Sequence, residues 1–115
     1  MTRLVKLEIA GVVIVALALL AFSRARGAAP VKPVTHAVAI EAMQFQPETV
    51  SAAPGDAIVW TNKDLFPHTV TSTSGDFDSK EIKPGESWTY RAVKKGEFAY
   101  VCSFHPTMKA VARVR

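Results

Sequence analysis

Beyond residue 30, apolar and polar side chains alternate with a period of two over short segments, the pattern of half-buried β-strands. The clearest case is Ala57-Ile58-Val59-Trp60-Thr61, which is rich in β-branched and aromatic residues. Similar segments begin near residues 35, 43, 68, 87, 98 and 109, and turns rich in Gly and Pro separate them. No segment in this part of the chain has the period of an amphipathic helix. Seven or eight short strands at this spacing predict an all-β fold, an antiparallel β-sandwich.

The start of the chain has a different character. After a charged beginning, an unbroken apolar run extends from Ile9 to Phe22. Its length is typical of a signal peptide and is short of the roughly 20 residues that comfortably span a bilayer. Small residues at 27–29 suit cleavage, whereas Arg24 and Arg26 oppose it, so an uncleaved membrane anchor is the alternative. Either form places the folded domain outside the cytoplasm, in the periplasm or another extracytoplasmic compartment.

This composition predicts three parts: a signal peptide or membrane anchor over residues 1–29, a Pro-containing linker over 30–34 and one folded domain over 35–115. The formal net charge of the 115-residue chain is +4. Residues 1–29 carry four basic side chains against Glu8, which leaves a net charge of only +1 for the remainder. A nearly neutral domain without a basic run is not expected to bind nucleic acid.

The stretch from Tyr100 to Met108 contains the only cysteine of the chain, in the spacing Cys-x-x-His-x-x-Met. Exported domains normally use cysteines in pairs, so a single one indicates a reactive, intermolecular or metal-bound thiol. Thiolate, imidazole and thioether form a soft ligand set that suits copper. A trigonal site with a long axial methionine requires a second imidazole, for which His68 is the best candidate. We therefore predict that His68, Cys102, His105 and Met108 bind one copper ion.

Each of these residues also has a plainer interpretation. A lone cysteine in a β-domain is often a small buried hydrophobic residue, and a methionine at a strand start is often part of the core. Their combination on one loop favours the metal site. His36 is expected to be structural or exposed. Several other side chains are assigned to the core: Met43, Phe45, Trp60, Phe77, Trp88 and Phe98.

Over residues 35–115 the sequence resembles the cupredoxins, a family that includes plastocyanin, pseudoazurin and amicyanin. The motifs that carry the resemblance are Phe45-Gln46-Pro47, Pro54-Gly55-Asp56, Val59-Trp60-Thr61-Asn62, Pro67-His68, Pro84-Gly85 and the Cys102 loop. The two-residue gaps of that loop are most similar to amicyanin. The resemblance implies a Greek-key sandwich and one type 1 copper, with Met108 as the weak axial ligand.

The resemblance also directs attention to the surroundings of the ligands. Pro67 and Pro106 stiffen the segments next to the ligand histidines. Many family members have Asn directly after the first ligand histidine, where this chain has Thr69, and a Gly where it has Ala110. We expect Thr69, Pro67 and Pro106 to support the site, with the Thr69 hydroxyl reaching less far than an Asn amide.

The expected function is one-electron transfer, with copper cycling between Cu(II) and Cu(I) and with a redox protein as donor and another as acceptor. The alternative is an exported copper-binding or copper-delivery protein without an electron-transfer role. Enzyme activity is not expected, because multicopper oxidases and copper nitrite reductases require further domains and ligands. Transient docking is predicted around the edge of His105, on a surface formed by Phe66, Pro67, Phe104 and Pro106. We expect a monomer, with the N-terminal segment as a possible membrane tether.

Overall fold

The computed structural model describes residues 31–115. Their secondary structure consists of eight strands: β1 Thr35–Glu41, β2 Gln44–Gln46, β3 Thr49–Ala52, β4 Ala57–Asn62, β5 Thr71–Ser72, β6 Ser87–Arg91, β7 Gly96–Val101 and β8 Lys109–Val114. The strands form two four-stranded sheets, with the orders β2-β1-β4-β6 and β3-β8-β7-β5. The predicted all-β sandwich is confirmed.

Strand direction differs from the prediction in one respect. In each sheet one pair is parallel, β1 with β4 and β3 with β8, and the remaining pairs are antiparallel. The predicted antiparallel sandwich therefore contains one parallel pair in each sheet. Parallel neighbours arise because β2 and β3 follow each other in sequence but belong to different sheets. The chain crosses from one sheet to the other between them, and a crossover can return a strand in the same direction.

The core lies between the two sheets and is built from the side chains that the period of two turns inward. Along β4, Ile58, Trp60 and Asn62 are buried and alternate with half-buried neighbours. Trp60 donates its indole N–H to the hydroxyl of Tyr100 on β7 at 3.2 Å. Burial raises the pKa of Tyr100 to about 12. Four of the five aromatic residues predicted for the core are buried and Trp88 packs against them, whereas Met43 is 37% exposed and its assignment to the core was wrong.

Local deviations from the predicted strands occur beside the candidate ligands. The strand expected from His68 begins only at Thr71, and His68 instead forms an isolated bridge with Ile82. Met43 lies in the turn between β1 and β2, where both Ala42 and Met43 have positive φ. This conformation is rare for residues other than glycine, and it turns the backbone N–H groups of both residues toward one carboxylate, described below.

A buried carboxylate lies at the start of β4. Asp56 precedes β4 and accepts hydrogen bonds from the backbone N–H groups of Val34 and Ala53, both at 2.9 Å, and contacts His36 Nε2 at 2.9 Å. His36 is thus part of a structural pair. The Val34 N–H, with smaller contributions from His36 and Ala53, lowers the pKa of Asp56 from 3.8 to about 2.

This lowered pKa predicts a specific acid sensitivity. A carboxyl whose pKa is depressed by folding contributes stability above its unfolded value of 3.8 and loses it as pH falls through about 2. The free energy of unfolding of the parent protein should therefore fall more steeply across this window than that of Asp56→Asn. Denaturant titrations between these pH values measure the difference. Parallel curves for the two proteins would contradict the assignment.

The signal peptide or anchor predicted for residues 1–29 lies outside the described residues, as does the first residue of the linker. The secondary structure of residues 31–115 contains no helix with the length and apolar character needed to cross a bilayer.

Candidate metal centre

Two consecutive tight turns shape the loop between β7 and β8. The carbonyl of Cys102 accepts the N–H of His105 at 3.1 Å, and the carbonyl of His105 accepts the N–H of Met108 at 2.9 Å. Each bond joins residue i to residue i+3, as in a β-turn. The Cys102 N–H then donates to the Met108 carbonyl at 3.2 Å and closes the loop. The two-residue gaps of the motif are therefore the gaps that successive turns require.

The loop brings Cys102 and His105 close to His68, which lies more than 30 positions earlier in the sequence. Cys102 Sγ lies 3.6 Å from His68 Nδ1 and 3.7 Å from His105 Nδ1. One ligand atom from each of the three residues lies within 4.8 Å of the other two. Cys102 and His68 are fully buried, and His105 is half-buried. The structure thus places three of the four predicted site residues around one point.

Met108, the fourth predicted residue, is also buried, at 4% exposure. It is the last residue of the second turn and precedes β8, and its carbonyl accepts the Cys102 N–H, which ties its backbone to that of Cys102. Its side chain lines a surface cavity of about 400 Å³ together with Met43 and Phe45. A thioether at this position adds a soft donor to the loop that carries the thiol.

A carboxylate that sequence reasoning did not single out holds His68 in place. Asp64 Oδ2 lies 2.8 Å from His68 Nε2, and the same carboxylate accepts the backbone N–H groups of Ala42 at 2.8 Å and Met43 at 3.0 Å. Desolvation, the largest single influence, raises the pKa of Asp64. The hydrogen bonds from Met43, His68 and Ala42 together outweigh it and leave this pKa below 3.8.

The ionised carboxylate determines which nitrogen of His68 carries the proton. Because a carboxylate can only accept, Nε2 must donate to Asp64, and in the neutral ring Nδ1 then keeps its lone pair. That lone pair faces Cys102 Sγ. In the sequence, Asp64 precedes His68 by four positions. Outside a helix this spacing does not predict that the two side chains are in contact.

Asn62 folds the segment between Asp64 and His68 into a compact loop. Its buried side-chain amide donates to the carbonyls of Phe66 at 2.7 Å and Ile82 at 3.0 Å, and its Oδ1 accepts the N–H of Asp64 at 3.0 Å. Every polar atom of this side chain is therefore hydrogen-bonded, two bonds going to the residues that lead to His68 and one to Ile82, the bridge partner of His68.

Thr69 is placed where support of the site was expected. Its backbone N–H donates to Cys102 Sγ at 3.3 Å, and its hydroxyl accepts the N–H of Ser103 at 2.7 Å. The predicted shorter reach of the hydroxyl does not prevent a bridge between the His68 segment and the ligand loop. Pro67 is half-buried and Pro106 is exposed, each next to a candidate ligand histidine.

Large apolar side chains are exposed on the two loops that meet at the site. Phe66 is 59% exposed and Phe104 is 51% exposed, and Leu65 beside Phe66 is 88% exposed. Leu65 was not predicted, because a single apolar residue in a loop has no periodic signal. These three residues lie within three positions of His68 or His105, so apolar surface accompanies both candidate ligand histidines.

A family model described as "Cupredoxin-like domain" matches residues 11–112. The chain belongs to the cupredoxin-like family. The resemblance on which the sequence prediction rested is confirmed, and the His-Cys-His group fits one type 1 copper, with the methionine of the same loop as a further soft donor.

Two relatives give this assignment more detail. Amicyanin-alpha of Methylorubrum extorquens is 32% identical over 77 residues, which are 63% of this chain and 65% of that protein. Chloroplastic plastocyanin of Tetradesmus obliquus is 32% identical over 84 residues, which are 64% of this chain and 58% of that protein. The chain thus spans less than two thirds of the length of either relative.

A solved structure of the copper-containing nitrite reductase NirK from Thermus scotoductus superposes with a TM-score of 0.67 at 26% identity. The match covers 79% of this chain but only 24% of the reductase. The chain therefore corresponds to one part of that larger enzyme.

Proposed function

We propose that this protein is a type 1 blue copper protein that carries single electrons between extracytoplasmic redox partners. The observation that carries the proposal is the convergence of Cys102 Sγ with the Nδ1 atoms of His68 and His105, at 3.6 and 3.7 Å. In this role His68, Cys102 and His105 would hold copper, and Met108 would be a weak fourth ligand. Bound copper would supply the one-electron couple between Cu(II) and Cu(I).

The electrostatics of the three donors support a cation at this point. With its Nε2 proton held by Asp64, His68 directs a buried lone pair at a sulfur that also faces His105 Nδ1. In the tautomer of His105 that carries its proton on Nε2, Nδ1 also presents a lone pair to Cys102 Sγ, and the single proton of a thiol then cannot satisfy both imidazole nitrogens. Buried electron-rich atoms that face one another are unfavourable without a positive partner, and a soft metal ion provides it.

The protein contributes to electron transfer by holding the donor atoms in a geometry that changes little when an electron is gained or lost. His68 is held by Asp64, the ligand loop is closed by its two turns, and Thr69 connects the two segments. A donor set restrained in this way presents the same geometry before and after transfer, so little reorganisation accompanies each electron.

Docking is the second requirement of a carrier. We assign it to the apolar surface of Leu65, Phe66, Pro67, Phe104 and Pro106, which flanks the half-buried His105. A small apolar contact without buried charge suits partners that must separate quickly. The apolar run of Ile9 to Phe22 supports an extracytoplasmic location, with cleavage or membrane tethering as its two forms.

The nitrite reductase similarity does not require an enzymatic role, because the match corresponds to 24% of that enzyme. We therefore assign this chain to electron transfer.

The direct test is to add Cu(II) to the purified apoprotein and record visible and electron paramagnetic resonance spectra. We expect one equivalent to produce an intense thiolate-to-copper band, and reduction to bleach it reversibly without loss of the ion. Absence of the band would refute a type 1 site. A band followed by rapid release of the metal on reduction would instead favour the copper-delivery alternative.

The Met108→Leu variant tests the axial ligand. Leu has nearly the same volume, so the fold should be kept, while loss of the weak thioether donor should leave copper bound and raise the reduction potential. Cyclic voltammetry measures the change. Met43→Leu is the matched control, because Met43 lines the same cavity and is not a proposed ligand. A potential that Met108→Leu leaves unchanged would remove Met108 from the coordination shell.

A further inference from the structure

Four side chains connect the candidate ligand loop to a second loop through consecutive hydrogen bonds. Ser103 Oγ lies 2.9 Å from Thr69 Oγ1, which lies 2.9 Å from Thr71 Oγ1. Thr71 Oγ1 in turn lies 3.2 Å from Asp78 Oδ1. Ser103 immediately follows Cys102, and Asp78 is an exposed residue of the segment that follows β5, so the series runs from the ligand loop to that segment.

Each hydroxyl has one proton to donate, and this fixes which oxygen is the donor in every hydrogen bond of the series. Asp78 accepts the Lys80 backbone N–H, the main reason that its pKa lies below 3.8, so it is an ionised acceptor. Thr71 must therefore donate its only hydroxyl proton to Asp78 and accept from Thr69. Thr69, having donated to Thr71, must accept from Ser103.

The Thr69 hydroxyl can form no further hydrogen bond, because its proton and both of its lone pairs are already used. Its two lone pairs accept the backbone N–H of Ser103 at 2.7 Å and the Ser103 hydroxyl, and its proton goes to Thr71. Thr69 is 2% exposed, so water does not compete at this oxygen. A fully saturated, unidirectional series of this kind is cooperatively strengthened, because each donor is polarised by the next acceptor.

We propose that Ser103, Thr71 and Asp78 are positioning residues for the copper thiolate, acting through Thr69 as a one-way hydroxyl chain that ends on the Asp78 carboxylate. The inference rests on the proposed copper-binding function. The chain fixes Thr69, whose backbone N–H donates to Cys102 Sγ, and it fixes the residue that follows Cys102. It thereby controls the hydrogen bond to the sulfur, which sets the electron density of the thiolate.

The first test breaks the chain in its middle. Thr71→Val removes one hydroxyl at nearly constant shape, and Thr73→Val is the matched control, because Thr73 is on the same segment but outside the chain. In the copper-loaded protein, Thr71→Val should shift the visible band and lower the reduction potential, since a weaker N–H bond to sulfur favours Cu(II). In the apoprotein, the amides of Thr69 and Ser103 should exchange hydrogen roughly fivefold faster. Thr73→Val should change none of these quantities.

The second test separates the hydrogen bond from the charge at the end of the chain. Asp78→Ala removes the last acceptor and should reproduce Thr71→Val, whereas Asp78→Asn retains Oδ1 as an acceptor and should restore the parent band and potential. Asp76→Ala removes a carboxylate of the same loop that pairs with Lys94 outside the chain. It should leave the band and the amide exchange unchanged.

The outcomes distinguish this inference from the proposed function. If the parent protein shows no thiolate-to-copper band, the proposed function fails. Amide exchange in the apoprotein still decides whether the series of hydroxyl hydrogen bonds exists. If the parent protein is blue but Thr71→Val behaves as Thr73→Val does, the positioning role is overturned. Equal shifts from Asp76→Ala and Asp78→Ala would also overturn it, because they would show an effect of charge alone.

Discussion

Replacement of Cys102 by Ser is expected to abolish the intense visible band completely, the largest spectroscopic effect of any single substitution in this protein. The band requires charge transfer from a thiolate, and a serine hydroxyl is a harder, far less acidic donor that does not suit this metal. Cys102 Sγ is the atom that both imidazole nitrogens face, at 3.6 and 3.7 Å. Loss of the sulfur therefore removes the centre of the site and not one of several equivalent donors.

The measurement is a visible absorption titration with Cu(II), accompanied by circular dichroism to show that the fold is kept. Ser is close to Cys in size, so the buried position should tolerate it. Thr107→Ala, in the same loop and exposed, is the control and should keep the parent band. Survival of the colour in Cys102→Ser would show that the thiolate assignment is wrong.

Asp64→Ala is expected to have the second largest effect, because it removes support from a candidate ligand and from a strained turn at once. His68 Nε2 and the N–H groups of Ala42 and Met43 all lose their acceptor. Three hydrogen bonds of ordinary net value correspond to a loss of about 3 kcal/mol in the free energy of unfolding. Copper affinity should fall by about 10- to 100-fold, the usual effect of removing a carboxylate that orients a metal-bound histidine.

A matched control lies at the other end of β4. Asp56 also accepts two backbone N–H groups and contacts a histidine, but that histidine is His36, away from the candidate ligands. Asp56→Ala should therefore also lower stability while leaving copper affinity unchanged. Competition with a copper chelator measures the affinities, and denaturant titration measures the stabilities. An equal loss of affinity in both variants would mean that Asp64 acts only through overall stability.

Much of the fold could be predicted because its signals are local. The alternation in β4 and the Pro-Gly turns depend on neighbours in sequence, and they indicated the correct fold class. Predictions were wrong where a distant group overrides the local pattern. His68 was expected to begin a strand, but it pairs with Ile82 of a later segment and lies outside β5. Met43 was expected in the core, but its backbone N–H is held in an exposed turn by a hydrogen bond to Asp64, 21 positions away.

By itself, the sequence determined the chemistry of the donors and the shape of the loop that carries them. A single cysteine with His105 and Met108 at three-residue intervals specifies soft ligands on two successive turns, and turns form through bonds between near neighbours. Only the tertiary structure decided what surrounds these donors. Asp64 joins His68 to the distant turn of Ala42 and Met43, and the series from Ser103 through Thr69 to Thr71 and Asp78 also joins separate segments. Such contacts form only when both sheets are packed, so no local sequence pattern predicts them.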